Sequence, residues 1–285
     1  VTTIVASDLD RTLIYSAGAL GLTMPDDQAP RLLCVEVYQR SPLSYLTERA
    51  ADLLGQLAGA VTLVPATTRT REQYRRVHLP GGVPPYAICA NGGHLLVDGR
   101  TDYDWRAEVQ RRLTDSCAEL AEVRAHLTAV ADPAWLLRNR VAEDLFAYLV
   151  VDRARLPRGW LTDLTGWADQ RGWTVSLQGR KVYAVPRPLT KSAALAEVVR
   201  RTGATEVLAA GDSLLDTDLL LAADAGWRPG HGELAESGWS APGVTALDEV
   251  GVLAGQEIVR RMLARVTSRD AEPAPPRPNP QPAAR

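Results

Sequence analysis

The chain has 285 residues, 46% hydrophobic and 23% charged, with a formal net charge of −2. It is long enough to bury one large core or two smaller ones, and its composition is that of an ordinary soluble globular protein. The charge balance gives no reason to expect nucleic acid or an anionic membrane as partner, no apolar run is long enough for a membrane span, and Cys34, Cys89 and Cys117 are too few and scattered for a disulfide framework or a zinc site.

Such cysteine use fits a reducing cytosol, and no basic region leads into an apolar stretch at the N-terminus, so no signal peptide is expected. Lysine occurs only at 181 and 191, with Arg elsewhere, a bias that points to a high-GC bacterial genome. Where this chain keeps a lysine, chemistry is a ready reason.

Taken in order, Thr2 to Ala6 reads as a short buried strand that runs into Asp8-Leu9-Asp10-Arg11-Thr12. Strand alternation would put Asp8 and Asp10 on one face, at the carboxyl end where open α/β sheets bind ligands. One acid can attack or hold a metal while the other moves a proton; a solvated turn uses the same residues. A second apolar stretch spans Leu32 to Tyr38. Ser41-Pro42 then looks like an N-cap and first-turn proline opening a helix with Leu43, Leu46, Ala50, Leu53, Leu54 and Leu57 at helical spacing. Val61 to Pro65 is the next strand, Thr70 to Val77 a short polar-faced helix, and Tyr86 to Ala90 a strand ending in Asn91-Gly92-Gly93. Asp98-Gly99 marks a hairpin.

The middle third differs. Trp105 to Ala131 reads as one long amphipathic helix, Leu145 to Val151 as a strand, Trp160 to Gln170 as a helix, and Trp173 to Leu177 with Val182 to Val185 as two strands around Gly179. The first pattern then resumes: helix Lys191 to Arg201, strand Glu206 to Ala210 ending in Gly211-Asp212, helix Leu214 to Ala223, strand Ala225 to Trp227, and helix Val250 to Val266. The segment from residue 270 to 285 is rich in Pro and Ala without apolar periodicity, and disorder is expected there. Alternating strands and helices argue a parallel sheet covered on both faces.

Four segments of the outer parts share a chemistry: SDLDRTL at 7–13, PATTR at 65–69, LTKSAAL at 189–195 and AAGDSLLD at 209–216. In order and type they resemble the motifs of the haloacid dehalogenase superfamily of phosphohydrolases. The insertion after the Asn91-Gly92 strand resembles the large α/β cap of the subgroup with the Cof-type sugar phosphatases and sucrose-phosphate phosphatase.

The resemblance implies an α/β fold: a Rossmann-like parallel-sheet core (1–97 and 187–269) with an inserted α+β cap (98–186). It implies Asp8 as the nucleophile that forms an aspartyl-phosphate and Asp10 as general acid and base. Thr67 and Lys191 would bind phosphate, and Asp8, Asp10, Asp212 and Asp216 would hold Mg2+. The family usually has Gly at the position of Thr68 and Asn at that of Leu215. With Thr68 there the hydroxyl role is open to either threonine, the alignment favouring Thr67; Thr67 also reads as a helix N-cap, and Arg69 as either a substrate contact or a surface residue. Asn91-Gly92 stands where the family has Asn-Gly at the cap entrance, and reads either as a substrate contact or a turn. Arg180 and Lys181, at the tip of a cap hairpin, either select the leaving group or are solvated. The four histidines show no metal spacing, and Gly230-His231-Gly232-Glu233 reads as a polar loop.

The expectation is a Mg-dependent phosphomonoester hydrolase acting on a small, sugar-phosphate-like metabolite, cytoplasmic, monomeric or homodimeric, without nucleic-acid or membrane partners. The alternatives are a phosphotransferase or phosphomutase, a nucleotide-type phosphatase, and a non-catalytic phosphate-ligand sensor.

Overall fold

Thr3–Ser7 (β1) is apolar throughout its centre because both its faces are covered: Ile4, Val5 and Ala6 have no exposed surface. The computed structural model describes residues 2–114 and 116–270. After β1 come a hairpin of Leu32–Tyr38 (β2) and Ser41–Thr47 (β3), helix α1 (Glu48–Ala60), β4 (Thr62–Pro65), the short α2 (Arg71–Tyr74), and β5 (Tyr86–Cys89), β6 (His94–Val97) and β7 (Arg100–Thr101). The middle third contains α3 (Tyr103–Thr114), α4 (Leu120–Val130), β8 (Leu136–Ala142), β9 (Phe146–Val151), α5 (Trp160–Asp169), β10 (Trp173–Gln178) and β11 (Lys181–Pro186). The chain continues through α6 (Lys191–Thr202), β12 (Glu206–Ala210), α7 (Thr217–Leu221), β13 (Ala225–Arg228), α8 (Glu233–Glu236), β14 (Val244–Ala246) and α9 (Gly251–Asp270).

The central sheet is parallel, in the order β14-β13-β12-β1-β4. Alternation along its strands divides the core. Val5, Leu63 and Leu208 join the apolar cluster built with α1 and α9, while Ile4, Ala6, Val64 and Ala209 join the one built with α6 and α7. That second cluster runs on through Leu95, Leu145 and Leu189 into the inserted segment. There β10-β11-β9-β8 form an antiparallel sheet. Its apolar face, with Leu149, Val151, Val182 and Ala184, shares the cluster with Val123 and Leu127 of α4 and Leu164 and Ala168 of α5. The opposite face carries Ser176, Gln178, Lys181, Tyr183 and Tyr148, which the register places side by side. The expected architecture, a parallel α/β core with an inserted α+β cap, is what the chain adopts.

Two expectations need correction, and one strand was missed. No helix begins at Ser41-Pro42. Gln39 and Arg40 have φ of 50° and 63°, which turns the chain back so that β3 pairs with β2, and the helix starts after Thr47, whose hydroxyl accepts from the Ala50 N–H at 2.9 Å. The long helix from Trp105 is two helices. Between them the Ala118 N–H donates to the Arg171 carbonyl and the Ala118 carbonyl accepts from the Trp173 indole, both at 2.9 Å, so contacts with the Gly172 turn override local helical spacing. Strand β8 was not foreseen: Arg138, Asn139 and Arg140 sit in its centre, as an edge strand allows. The helix α9 extends to Asp270, and residues 271–285 of the expected disordered tail lie outside the described residues. No helix among the described residues is long and apolar enough to cross a membrane.

Candidate active site

Parallel strands deliver their carboxyl ends to one edge, and three acids or hydroxyls follow three adjacent strands there. Asp8 follows β1, Thr67 follows β4 and Asp212 follows β12. The turns are tied across that edge: the Asp8 N–H donates to the Ala210 carbonyl at 2.9 Å and the Ala66 N–H to that of Ser7 at 2.8 Å. Lys191 opens α6, whose N-cap Thr190 accepts from the Ala193 N–H at 3.2 Å.

Lys191 is the hub. Only 1% of its side chain is exposed, and its Nζ lies 2.6 Å from Asp8 Oδ1 and 2.5 Å from Asp216 Oδ1. The other oxygen of Asp216 accepts from the Asp212 N–H (3.1 Å), the Ser213 N–H (3.0 Å) and the Ser213 hydroxyl (2.7 Å). Asp216 therefore orients both the lysine and the loop that carries Asp212. The Asp212 carboxylate has one hydrogen-bond partner among the described residues, Arg11 Nε at 3.3 Å. Gly232 closes over this loop. With φ of 92°, it would put a Cβ 2.5 Å from Asp212 Oδ2, so only glycine fits.

Asp8, Asp212 and Asp216 each offer an oxygen within 4.8 Å of the others. Burial pushes the Asp8 carboxyl up to about 7, against the pull of Lys191, with Asp216 and Asp10 adding to the rise. Burial also raises Asp212 well above the carboxylate range, with Asp8 and Asp216 adding to it. Burial alone would lower Lys191, yet Asp216 and Asp8 hold it above its ordinary value. Three buried carboxylates against Lys191 and the partly exposed Arg11 still leave an excess of negative charge. Hard oxygen donors in that excess suit a divalent cation such as Mg2+, so the residues fit the expected metal.

Asp10 is oriented differently. Its carboxylate turns to Arg69, which donates from Nε to Oδ2 and from one Nη to Oδ1, each at 2.8 Å. Burial acts to raise its carboxyl, but the Arg69 guanidinium overrides it and holds Asp10 at about 2. Arg69, which the sequence left between substrate contact and surface, is 8% exposed. Thr67 accepts the Arg69 N–H at 3.1 Å, which leaves its hydroxyl proton free to donate, and the Thr68 hydroxyl meets that of Tyr183 at 3.4 Å.

The cap reaches the same edge. Gln178 Nε2 donates to Ser213 Oγ at 3.0 Å, and Glu233 accepts from Ser176 Oγ (2.6 Å) and the N–H groups of Leu177 and Leu214 (2.9 Å each). Lys181 stands 5.9 and 6.0 Å from the rings of Tyr148 and Tyr183. Its ammonium is held above its ordinary pKa, with the neighbouring Tyr183 contributing most, burial opposing and Asp10 adding to the rise. Arg180 is exposed, and its carbonyl accepts from Val151. Asn91 is buried and donates to the Leu189 carbonyl at 2.7 Å, tying the cap entrance to the lysine loop. Gly92, at φ 97°, allows that approach, since a Cβ there would lie 2.0 Å from the Thr190 carbonyl. Leu215 packs into the apolar cluster, and Asp218 accepts from the Ser192 N–H at 2.9 Å.

Sequence reasoning missed Glu36, Ser44, Arg11 and Glu233. A glutamate amid the apolar run of β2 was a readable signal for the first. Glu233 and His231 were read as part of a polar loop. In the structure His231 Nδ1 accepts from Gly251, so its Nε2 carries the proton donated to the Arg11 carbonyl at 2.8 Å.

No known family matches by sequence, and no curated protein does either. Solved structures do match. The sucrose-phosphatase from Synechocystis sp. PCC6803, in complex with sucrose and phosphate, superposes with a TM-score of 0.63 at 16% identity over 93% of this chain and 98% of that one. A sugar phosphatase of haloacid dehalogenase subclass IIB gives 0.54 at 12% identity over 93% and 99%. The C-terminal domain of the C. albicans trehalose-6-phosphate phosphatase gives 0.52 at 10% identity over 93% of each. With this sheet order and cap, the chain has the fold of the haloacid dehalogenase superfamily's capped sugar phosphatases.

Proposed function

We propose that the protein is a Mg-dependent phosphomonoester hydrolase of small, sugar-phosphate-like metabolites that works through an aspartyl-phosphate on Asp8. The observation that carries the reading is the buried hub of Lys191 between Asp8 and Asp216, beside Asp212. Asp8 and Lys191 are separated by 183 residues, and a cation held against a carboxylate at a strand edge is what attack on a phosphate dianion requires.

Lys191 holds Asp8 Oδ1, leaving Oδ2 to attack phosphorus. The new bond forms between Oδ2 and phosphorus as the bond to the leaving oxygen breaks; Asp10, which Arg69 keeps ionised at rest, takes up a proton as substrate binds and delivers it to that oxygen. Asp10, then a carboxylate, takes a proton from the water that attacks the acyl phosphate, releasing phosphate and restoring Asp8. Thr67 and Lys191 bind phosphoryl oxygens. Asp8, Asp212 and the main chain of Asp10, with Asp216 behind them, would hold Mg2+. When bound, the ion neutralises charge on the transferred group.

The polar cap face supplies the leaving-group contacts, with Lys181, Tyr183, Tyr148 and Gln178 foremost, and Arg180, Asn91 and Gly92 lie at the tip of a cap hairpin and the cap entrance. In this reading the core is 1–97 and 187–269, the cap is 98–186, and the enzyme is cytoplasmic and monomeric or homodimeric. Phosphate release from p-nitrophenyl phosphate, with and without magnesium, tests the reading. Equal rates for wild type and Asp8→Asn in pure preparations would sink it.

A further inference from the structure

The paired aspartates account for attack and proton transfer, but not for what aims the second of them. Asp10 has 37% of its side chain exposed, so packing alone does not fix it. The planar Arg69 fork does, with its two 2.8 Å bonds. The other end of the same guanidinium, Nη1, meets Glu36 Oε2 at 2.9 Å. Glu36 is 1% exposed, and it is braced in turn: Ser44 Oγ donates to Oε2 at 2.6 Å and Arg76 Nε to Oε1 at 3.3 Å. The Arg69 main chain is pinned as well, through Thr67 Oγ1 at 3.1 Å and through its carbonyl, which accepts the Ala90 N–H at 2.7 Å.

We propose that Arg69, aimed by Glu36 of the β2–β3 hairpin, is a positioning residue that sets the bearing of the Asp10 carboxylate for proton transfer. The inference rests on the hydrolase reading above. A carboxylate offers about four acceptor sites. The fork takes two and leaves the others for proton exchange in the cleft. A lysine could supply the charge but neither the two-point grip nor the simultaneous reach to Glu36. The hairpin thus acts on the chemistry without touching substrate.

Leaving groups separate this from a merely structural role. A p-nitrophenolate departs without a proton, whereas the alkoxide of a sugar or glycerol phosphate needs one. For Arg69→Lys and Glu36→Gln, kcat on an alkyl phosphate such as glycerol phosphate should fall by about tenfold or more, against about threefold or less on p-nitrophenyl phosphate. Magnesium-saturated wild type is the reference. Ser44→Ala, which removes only a brace, should show the same inequality more weakly and stands in should a charge variant fail to fold. Equal losses on both esters would overturn the inference and leave the hydrolase reading intact. Wild-type protein inert toward both would overturn the hydrolase reading and the inference with it.

Discussion

The Lys191 ammonium lies 2.6 Å from Asp8 Oδ1 in a pocket that exposes 1% of the lysine side chain. Among the described residues, no other cation is hydrogen-bonded to the Asp8 carboxylate. Lys191→Met should lower kcat by about 100-fold or more, the range that positioned charge supplies in such sites. Lys191→Arg should not rescue it, because the guanidinium is bulkier than the sealed pocket. Steady-state kinetics on p-nitrophenyl phosphate checks both. A rescue by arginine would show that charge alone suffices.

Magnesium should stabilise the fold. The excess negative charge of Asp8, Asp212 and Asp216 exists only when the chain is folded, so an ion bound there favours the native state. At 100 times Kd the gain is about 2.7 kcal/mol. The thermal midpoint should rise by several degrees in magnesium, and Asp212→Asn should abolish the rise. A shift that survives Asp212→Asn would place the ion elsewhere.

The Asp10–Arg69 pair makes a pH prediction with a definite sign. The Asp10 carboxyl is lowered from 3.8 to about 2 in the folded state. Its contribution to stability is therefore complete above pH 3.8 and is lost as pH falls through about 2. The difference in thermal midpoint between wild type and Asp10→Asn should be constant near neutral pH and shrink across that window. A gap that widened on acidification would contradict the pairing.

Two glycines with left-handed backbones should respond differently to alanine. Gly203 ends α6 with nothing within 4 Å of a built Cβ, so Gly203→Ala should cost about 1 kcal/mol and leave turnover intact. At Gly232 the new methyl would meet Asp212 Oδ2 at 2.5 Å. Gly232→Ala should lose stability and also blunt the magnesium-induced thermal shift. Both effects can be read in one melting experiment.

Strands β1, β4 and β12 were legible because parallel strands covered on both faces read as unbroken apolar runs. Lys191 was legible because lysine is rare in this chain. Strand β3 was not, since Leu43, Leu46 and Ala50 mimic helical spacing, and what overrides it is pairing with β2. Strand β8 hid behind its arginines. The grip of Arg69 on Asp10 and Glu36 joins residues 59 and 33 positions apart, and such pairings are set by topology and leave no local pattern. The same holds for Glu233, whose cap partners are 57 and 56 residues away.

The position of β1 between β4 and β12 has a consequence for how the protein is made. One edge of β1 finds its partner by residue 65, but the other must wait for residues 206–210. At about 5–20 residues per second, a ribosome needs on the order of ten seconds or more to synthesise the intervening stretch. Throughout that interval a nascent chain carries an apolar strand with one edge open to pairing with other chains. Aggregation of this protein should therefore be set more by crowding of unfinished chains than by the stability of the finished one.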